Sequence, residues 1–197
     1  FKQWVFDTSR AGRTRSFLNV STQVREMLKS NAVPIVLNIG EEEDFRGIVD
    51  LVTNKAIVWH EDNFGSTFDE APIPEDMKAD VEKYRAELIE AVAEYDEELL
   101  EKFFEGADSI SPDEIHNALR AATQDMSIIP MICGSSFKNK GVQFLLDAVC
   151  RYLPSPEDKE AIVGTDPDSG EEISRKPSVS EPFSALAFKI ATDPFVG

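Results

Sequence analysis

The residues best suited to chemistry in this sequence lie at 133–141, Cys-Gly-Ser-Ser-Phe-Lys-Asn-Lys-Gly. Small side chains and glycines leave backbone N–H groups accessible to a polar ring edge, so the chemistry on offer is recognition through the main chain. The same residues also suit a plain turn leading into a helix through Lys138-Asn139-Lys140-Gly141. A second feature is the carboxylate series Glu87, Glu90, Glu94, Glu97, Glu98 and Glu101. Acids spread around a solvated helix have no low-dielectric pocket to raise one pKa, which disfavours paired-carboxylate hydrolysis. A solvated face and a docking surface for a basic partner both fit the series. His60 and His116 have no neighbouring Ser or Cys nucleophile with an orienting acid, and neither is given a role. Cys133 and Cys150 form no CxxC, which argues against a disulfide framework and against a Cys/His zinc site. Trp4 and Trp59 read as packing residues. No catalytic and no metal-ligating residue is assigned.

The loop at 133–141 needs a strand before it and a helix after it. Residues 127–133 are apolar on both faces, as a buried parallel strand would be. Residues 141–153 read as a helix with Val142, Leu145, Leu146, Val149 and Leu153 facing inward. Strand, small-residue loop and helix make half of a βαβ unit, with the loop at the strand's carboxyl end, where open α/β sheets bind ligands. Upstream, residues 17–30 read as a helix and 32–40 as one strand, followed by an acidic turn at 41–44. Residues 45–52 and 55–60 form a hairpin-like pair around Thr53-Asn54, and 61–75 read as loop. The carboxylates sit on a long helix at 75–105, or on two helices joined near Asp96. This window carries net −8 of the chain's −17. Ser111, Pro112 and Glu114 begin another helix with a capping box. Residues 154–182, rich in Pro, Ser and Asp, read as a linker, and 185–190 as the start of a new strand.

With 197 residues, 42% of them hydrophobic and 29% charged, the chain can bury a core. A net charge of −17 disfavours binding of phosphate backbones by bulk charge. No apolar run approaches the roughly 18–20 residues of a membrane span, and no signal-peptide pattern opens the sequence. A reduced cytoplasmic protein with no membrane association is therefore expected. The sequence opens on Phe1 without Met and closes on Phe195-Val196-Gly197 within a strand-like pattern, so a section of something longer is expected.

Several stretches closely resemble bacterial elongation factor G. They are Asn31-Ala32-Val33-Pro34-Ile35, residues 39–51 (Ile-Gly-Glu-Glu-Glu-Asp-Phe-Arg-Gly-Ile-Val-Asp-Leu), Lys55-Ala56-Ile57-Val58-Trp59 and the loop 133–143. Leu153-Pro154-Ser155-Pro156, residues 185–190 and Asp193-Pro194-Phe195-Val196-Gly197 continue the match, in order and at family spacing, over about residues 17–197.

The resemblance implies an α/β fold: an α+β insertion subdomain, the C-terminal part of a P-loop-type GTPase domain and the first strand of a β-barrel. It assigns residues 1–44 to the GTPase domain (1–16 atypical), 45–125 to the inserted subdomain and 126–153 to the last strand and helix of the GTPase domain. Residues 154–182 become a linker and 183–197 the start of the barrel. The implied function is GTP-dependent tRNA–mRNA translocation on the ribosome. Ser135, Ser136 and Phe137 match the family's last guanine motif, in which the backbone N–H at Ser136 would meet the guanine O6. Ser136 stands where Ala is usual, a change that leaves a main-chain contact intact. Glu87, Glu90, Glu94, Glu97, Glu98 and Glu101 match in place and sign the helices that contact the ribosomal stalk protein.

The departures are also specific. The sequence has no Gly-x-x-x-x-Gly-Lys-Ser/Thr phosphate loop and no Asp-x-x-Gly switch motif with its following His; Asp44-Phe45-Arg46-Gly47 and Asp62-Asn63-Phe64-Gly65 run on into Ile48 and Ser66. Where the family has Asn-Lys-Met-Asp before Arg10-Ala11-Gly12, this chain has Phe6-Asp7-Thr8-Ser9. The expectation is a monomeric chain without hydrolytic activity of its own. The full-length parent would use GTP or GDP with Mg²⁺, with no cofactor expected here, and tRNA–mRNA would be met only through domains absent from it. The alternatives are a stand-alone acidic interaction module and a non-catalytic paralogue that docks a basic ribosomal partner.

Overall fold

The computed structural model describes residues 4–7, 16–60, 65–106, 109–187 and 189, with the side chains of 4–7, 97 and 105 outside the description. The elements are β1 (Trp4–Asp7), α1 (Phe17–Leu28), β2 (Ala32–Pro34), β3 (Val36–Ile39), β4 (Gly47–Asp50), β5 (Lys55–Trp59), β6 (Phe68–Ala71), α2 (Lys78–Ala93) and α3 (Glu97–Glu105). They continue with α4 (Pro112–Gln124), β7 (Ile129–Gly134), α5 (Val142–Tyr152), β8 (Ile162–Thr165) and β9 (Glu172–Arg175). Strands and helices mix throughout, as the α/β class requires. The chain divides into two units, Phe1–Leu153 and Pro154–Gly197.

In the first unit a parallel sheet of order β1-β7-β2 stands beside an antiparallel sheet of order β3-β4-β5-β6. Residues 32–40, expected as one strand, are therefore two strands in different sheets. The break falls at Ile35, directly after Pro34, which has no N–H to continue a ladder. Ile35 donates its N–H to Met131 O at 3.0 Å and accepts from Leu51 N at 3.1 Å, so one residue bonds to both sheets. The four-stranded sheet thus begins at Val36, ahead of residue 45. Pro130 lies within β7, but β1 pairs only with Met131–Gly134, so the missing N–H falls outside that ladder.

The expected hairpin around Thr53-Asn54 is present, with Ile48 opposite Ile57 and Asp50 opposite Lys55. Asp50 accepts from Val52 N and from the Thr53 hydroxyl, and Arg85 of α2 donates to the Leu51 and Val52 carbonyls, so the turn is closed from two sides. Within residues 61–75, expected to be loop, Phe68–Ala71 forms an edge strand against β5. Phe-Asp-Glu-Ala has poor intrinsic strand preference. Its pairing is helped by Trp59 and Phe68, whose ring centroids lie 5.9 Å apart, and by Lys55 and Glu70 at 2.7 Å.

The acidic window divides where the sequence suggests. Asp96 caps α3 by accepting from Glu98 N and Leu99 N, both at 3.1 Å. Val81, Leu88 and Val92 of α2 and Leu99 of α3 are buried, while Leu100 and Phe104 are exposed, because α3 buries a narrower face than its apolar content suggests. A similar correction applies to α5. Ala148 and Tyr152 are its buried residues, while Leu146 is 58% exposed and Val149 lies at the surface. The buried stripe is turned by roughly one residue's 100° from the expected one, because α5 packs on α4 through Tyr152.

In the second unit, described by itself, the stretch read as a linker holds a short turn at Pro156–Asp158 and the β8–β9 hairpin. Asp166 closes the hairpin turn by accepting from Asp168 N and Ser169 N. Of the strand expected at 185–190, residues 185–187 carry no strand pairing, while 188 and 190 lie outside the described residues.

The helical layer makes stability depend on pH in two places. The capping box of α4 has both its bonds, and Lys102 and two Ser111 groups also bond to Glu114, which holds that carboxyl down at about 2. A group held below its unfolded value stabilises above that value and loses the contribution as pH falls towards its folded value. Stability should therefore decline from about pH 4.5 to about pH 2, and Glu114→Gln should flatten the decline in pH-resolved urea unfolding. At neutral pH, Ser111→Ala should cost about 1 kcal/mol in the same assay.

His116 of α4 sits half-buried against α5, with Nδ1 2.7 Å from the Tyr152 hydroxyl and Nε2 2.5 Å from an Arg151 guanidinium nitrogen. Burial, then Arg151, lowers its pKa against the weaker opposing pull of Asp50 and Asp113. Below about pH 6.5 the unfolded chain takes up a proton that the folded one resists, so acid should destabilise the α4–α5 contact. Thermal melts of wild type between pH 7.5 and pH 5.5 should lose midpoint as pH falls, and His116→Gln should lose less.

Candidate functional site

The loop between β7 and α5 is built by a short backbone bridge. Ser135 N donates to Lys140 O at 2.9 Å and Lys140 N to Ser135 O at 3.0 Å, which closes residues 135–140 into a tight lobe at the carboxyl end of the central parallel strand. Asn139 turns the chain back with φ 53°, its N–H donating to Ser136 O. Gly141 follows at φ 89°, where a Cβ would stand 3.2 Å from Gly134 Cα, so both the conformation and the close approach call for glycine.

The three residues expected to face guanine are not equivalent. Ser135 is buried, and its hydroxyl oxygen accepts from Lys138 N at 3.4 Å, which gives it a part in shaping the loop. Ser136 is at the surface of the lobe. Both line a cavity of about 130 Å³ with Ile132, Cys133, Lys140 and Leu145. Phe137 is 89% exposed and does not line that cavity. The Cys133 thiol is pushed far above its usual range by burial, so it is a protonated, inert wall. The cavity is bounded by the end of β7, the lobe and the first turn of α5, with Lys140 among its lining residues.

β1 runs parallel to β7, with Asp7 in register with Gly134. Phe6 and Asp7 of the departing tetrapeptide thus lie in the strand beside β7, and residues 8–15 lie outside the described residues. A strand could have been inferred from the apolar, β-favouring Trp4-Val5-Phe6 run, although the sequence analysis assigns no element there.

The carboxylate series falls on two helices. Glu87, Glu90 and Glu94 lie on the side of α2 opposite the buried Val81, Leu88 and Val92, and Glu90 and Glu94 are exposed. Glu87 pairs with Lys83 at 4.0 Å. Glu98 and Glu101 of α3 are exposed, and Glu97 belongs to that helix with its side chain outside the description. Among the described residues, no group of three or more His, Cys, Asp or Glu side chains could hold a metal ion. His60 approaches Asp69 at 3.0 Å, and Trp59 is buried with its indole N–H 3.3 Å from Gln143 Oε1. No helix among the described residues is long and apolar enough to cross a membrane.

The sequence is 62% identical over 181 residues to elongation factor G of Cytophaga hutchinsonii, a match that covers 92% of this chain. It is 55% identical over 188 residues to elongation factor G of Amoebophilus asiaticus, covering 95% of this chain. The chain spans 26% of the length of each of these relatives. A crystal structure of a Thermus thermophilus protein superposes with a TM-score of 0.67 at 25% identity, over 88% of this chain and 26% of that one. No protein-family model matches the sequence. On these identities the chain belongs to the elongation factor G family, corresponding to an internal section of its relatives.

Proposed function

We propose that this chain supplies a ribosomal translocase GTPase with the guanine-facing edge of its nucleotide-binding sheet and with the helical insertion that docks the ribosomal stalk protein. The observation that carries this reading is the bridged lobe 135–140, set at the carboxyl end of β7 and alongside the end of β1, in a sequence so close to elongation factor G. In this reading residues 1–44 and 126–153 belong to the GTPase domain and 45–125 to the insertion, whose strands β4, β5 and β6 continue a sheet from β3 of the GTPase part. Residues 154–182 are the interdomain stretch and 183–197 the start of a β-barrel.

The guanine end of a GTP or GDP molecule fits the placement of these residues: the cavity opens at the carboxyl end of β7, and Ser136 is an exposed residue in its lining. The phosphate and Mg²⁺ end does not fit, since the sequence has no phosphate loop and no switch motif. GTP with Mg²⁺ would supply the parent's phosphoryl chemistry, in which charge neutralisation at the phosphates dominates. This chain's own contribution is to orient the base, and no hydrolytic step is assigned to it. Ribosome-linked work in the cytoplasm follows from the same reading.

A fluorescent-GDP titration of the chain should show no saturable binding below millimolar nucleotide, and micromolar binding would reveal a phosphate site that the sequence does not display. At millimolar GDP, amide resonances of Ser135, Ser136 and Phe137 in the isotopically labelled chain should shift more than with ADP. Equal shifts with both nucleotides, or shifts elsewhere only, would end the guanine assignment.

The acidic face favours a basic partner by charge complementarity. Stalk-protein association with the wild-type chain should slow steeply with added salt. The double variant Glu94→Lys, Glu98→Lys should slow it about tenfold at low salt in stopped-flow measurements. Salt-independent binding would leave these residues as a solvated face.

A further inference from the structure

The lobe 135–140 does not hold its shape alone. Lys140 is 3% exposed, and its Nζ donates to the carbonyl of Phe45, itself fully buried, at 3.2 Å. A lysine head group is seldom buried, and burial is tolerated only where hydrogen bonds replace water. Lys138 Nζ donates to the neighbouring Glu43 carbonyl. Both acceptors lie in the turn between β3 and β4. On the other flank Gln143, in the first turn of α5, donates to Gly65 O at 3.0 Å and to Ser66 O at 3.4 Å, and accepts from Trp59 Nε1. Gly65 presses directly on the lobe: at φ 68°, a Cβ there would stand 2.6 Å from Asn139 O. Two turns of the antiparallel sheet therefore grip the loop that ends the parallel one.

We propose that Lys140 is a positioning residue for the guanine-facing lobe, fixing its closed form by anchoring it to the Phe45 carbonyl, with Gln143 securing the opposite flank. The role in base recognition rests on the reading of this loop given above; the anchoring does not. A shaped main chain is what recognition by backbone amides requires, because a donor displaced by a fraction of an ångström loses its geometry. The four-stranded sheet of the insertion thereby takes part in nucleotide recognition without touching the nucleotide.

The test compares wild type, Lys140→Met, Lys140→Arg and Gln143→Leu by residue-resolved amide hydrogen exchange and by GDP-versus-ADP amide shifts. Lys140→Met should speed exchange at the bridging amides of Ser135 and Lys140 about tenfold, the scale of one lost hydrogen bond, while the β4–β5 ladder stays within about twofold. Lys140→Arg, which keeps a donor, should return exchange towards wild type, and the GDP-specific shift at Ser136 should fade in Lys140→Met alone. Unchanged exchange at Ser135 and Lys140, or equal acceleration through both sheets, would overturn the proposal. Should Lys140→Met fail to fold, Gln143→Leu decides: local opening at Asn139 and Lys140 supports the clamp, and its absence rejects it. A wild-type chain with no GDP-specific shift but with the expected exchange pattern would reject the guanine reading and leave the clamp standing.

Discussion

A single buried peptide segment at Ile35 joins the two sheets of the first unit, and the candidate site depends on it. Buried N–H and C=O groups must find partners, and Ile35 gives its N–H to β7 and its carbonyl to the residue after β4. The chain can therefore leave the parallel sheet and enter the antiparallel one with no unpaired backbone at that joint. As a result, the turn that follows β3 lies within reach of the loop that follows β7. Lys138 and Lys140 then meet the Glu43 and Phe45 carbonyls across a gap of 95 residues in sequence.

The chemistry of this chain is divided between two kinds of surface. At the lobe, backbone and small side chains line a cavity whose Cys133 thiol is kept neutral by burial. Along α2 and α3 the surface is carboxylate, with Lys83 and Lys102 as local counter-charges. Main-chain amides select by geometry at short range, whereas a charged face acts over about a Debye length and governs encounter. The two proposed roles therefore place different demands on sequence: small residues and glycines in the loop, repeated acids at helical spacing along the helices.

Of the departure at residues 6–9, Phe6 and Asp7 lie in β1. β1 lies beside β7 and ends level with Gly134, so the strand pairing is kept while the side chains associated with guanine reading are not those of the family. Backbone pairing tolerates such exchange because a parallel ladder is made from N–H and C=O groups that every non-proline residue carries. Side-chain recognition does not tolerate it. The lobe at 135–140 is closed by main-chain bonds between Ser135 and Lys140, which do not depend on the side chain at 136.

Much was legible in the sequence where the signal is local. The capping box at Ser111–Glu114, the Asp96 break between α2 and α3, the hairpin around Thr53-Asn54, the buried strand at β7 and the bridged loop after it each depend on residues within a few positions of one another. Other features were decided only by tertiary structure. Residues 32–40 read as one strand because apolar periodicity cannot tell which sheet a strand joins; Ile35 settles that through partners at Met131 and Leu51. Phe68–Ala71 has weak strand preference and exists because β5 offers it an edge. The inward face of α5 was set by contact with α4, which no local pattern encodes. Lys138 and Lys140 also fit a plain turn leading into a helix, yet they bond to the Glu43 and Phe45 carbonyls, because the fold brings the turn between β3 and β4 against the loop. Sequence by itself determined the family, the local elements and the loop proposed to face the base; packing between distant segments decided which sheet, which face and which side chains hold that loop in shape.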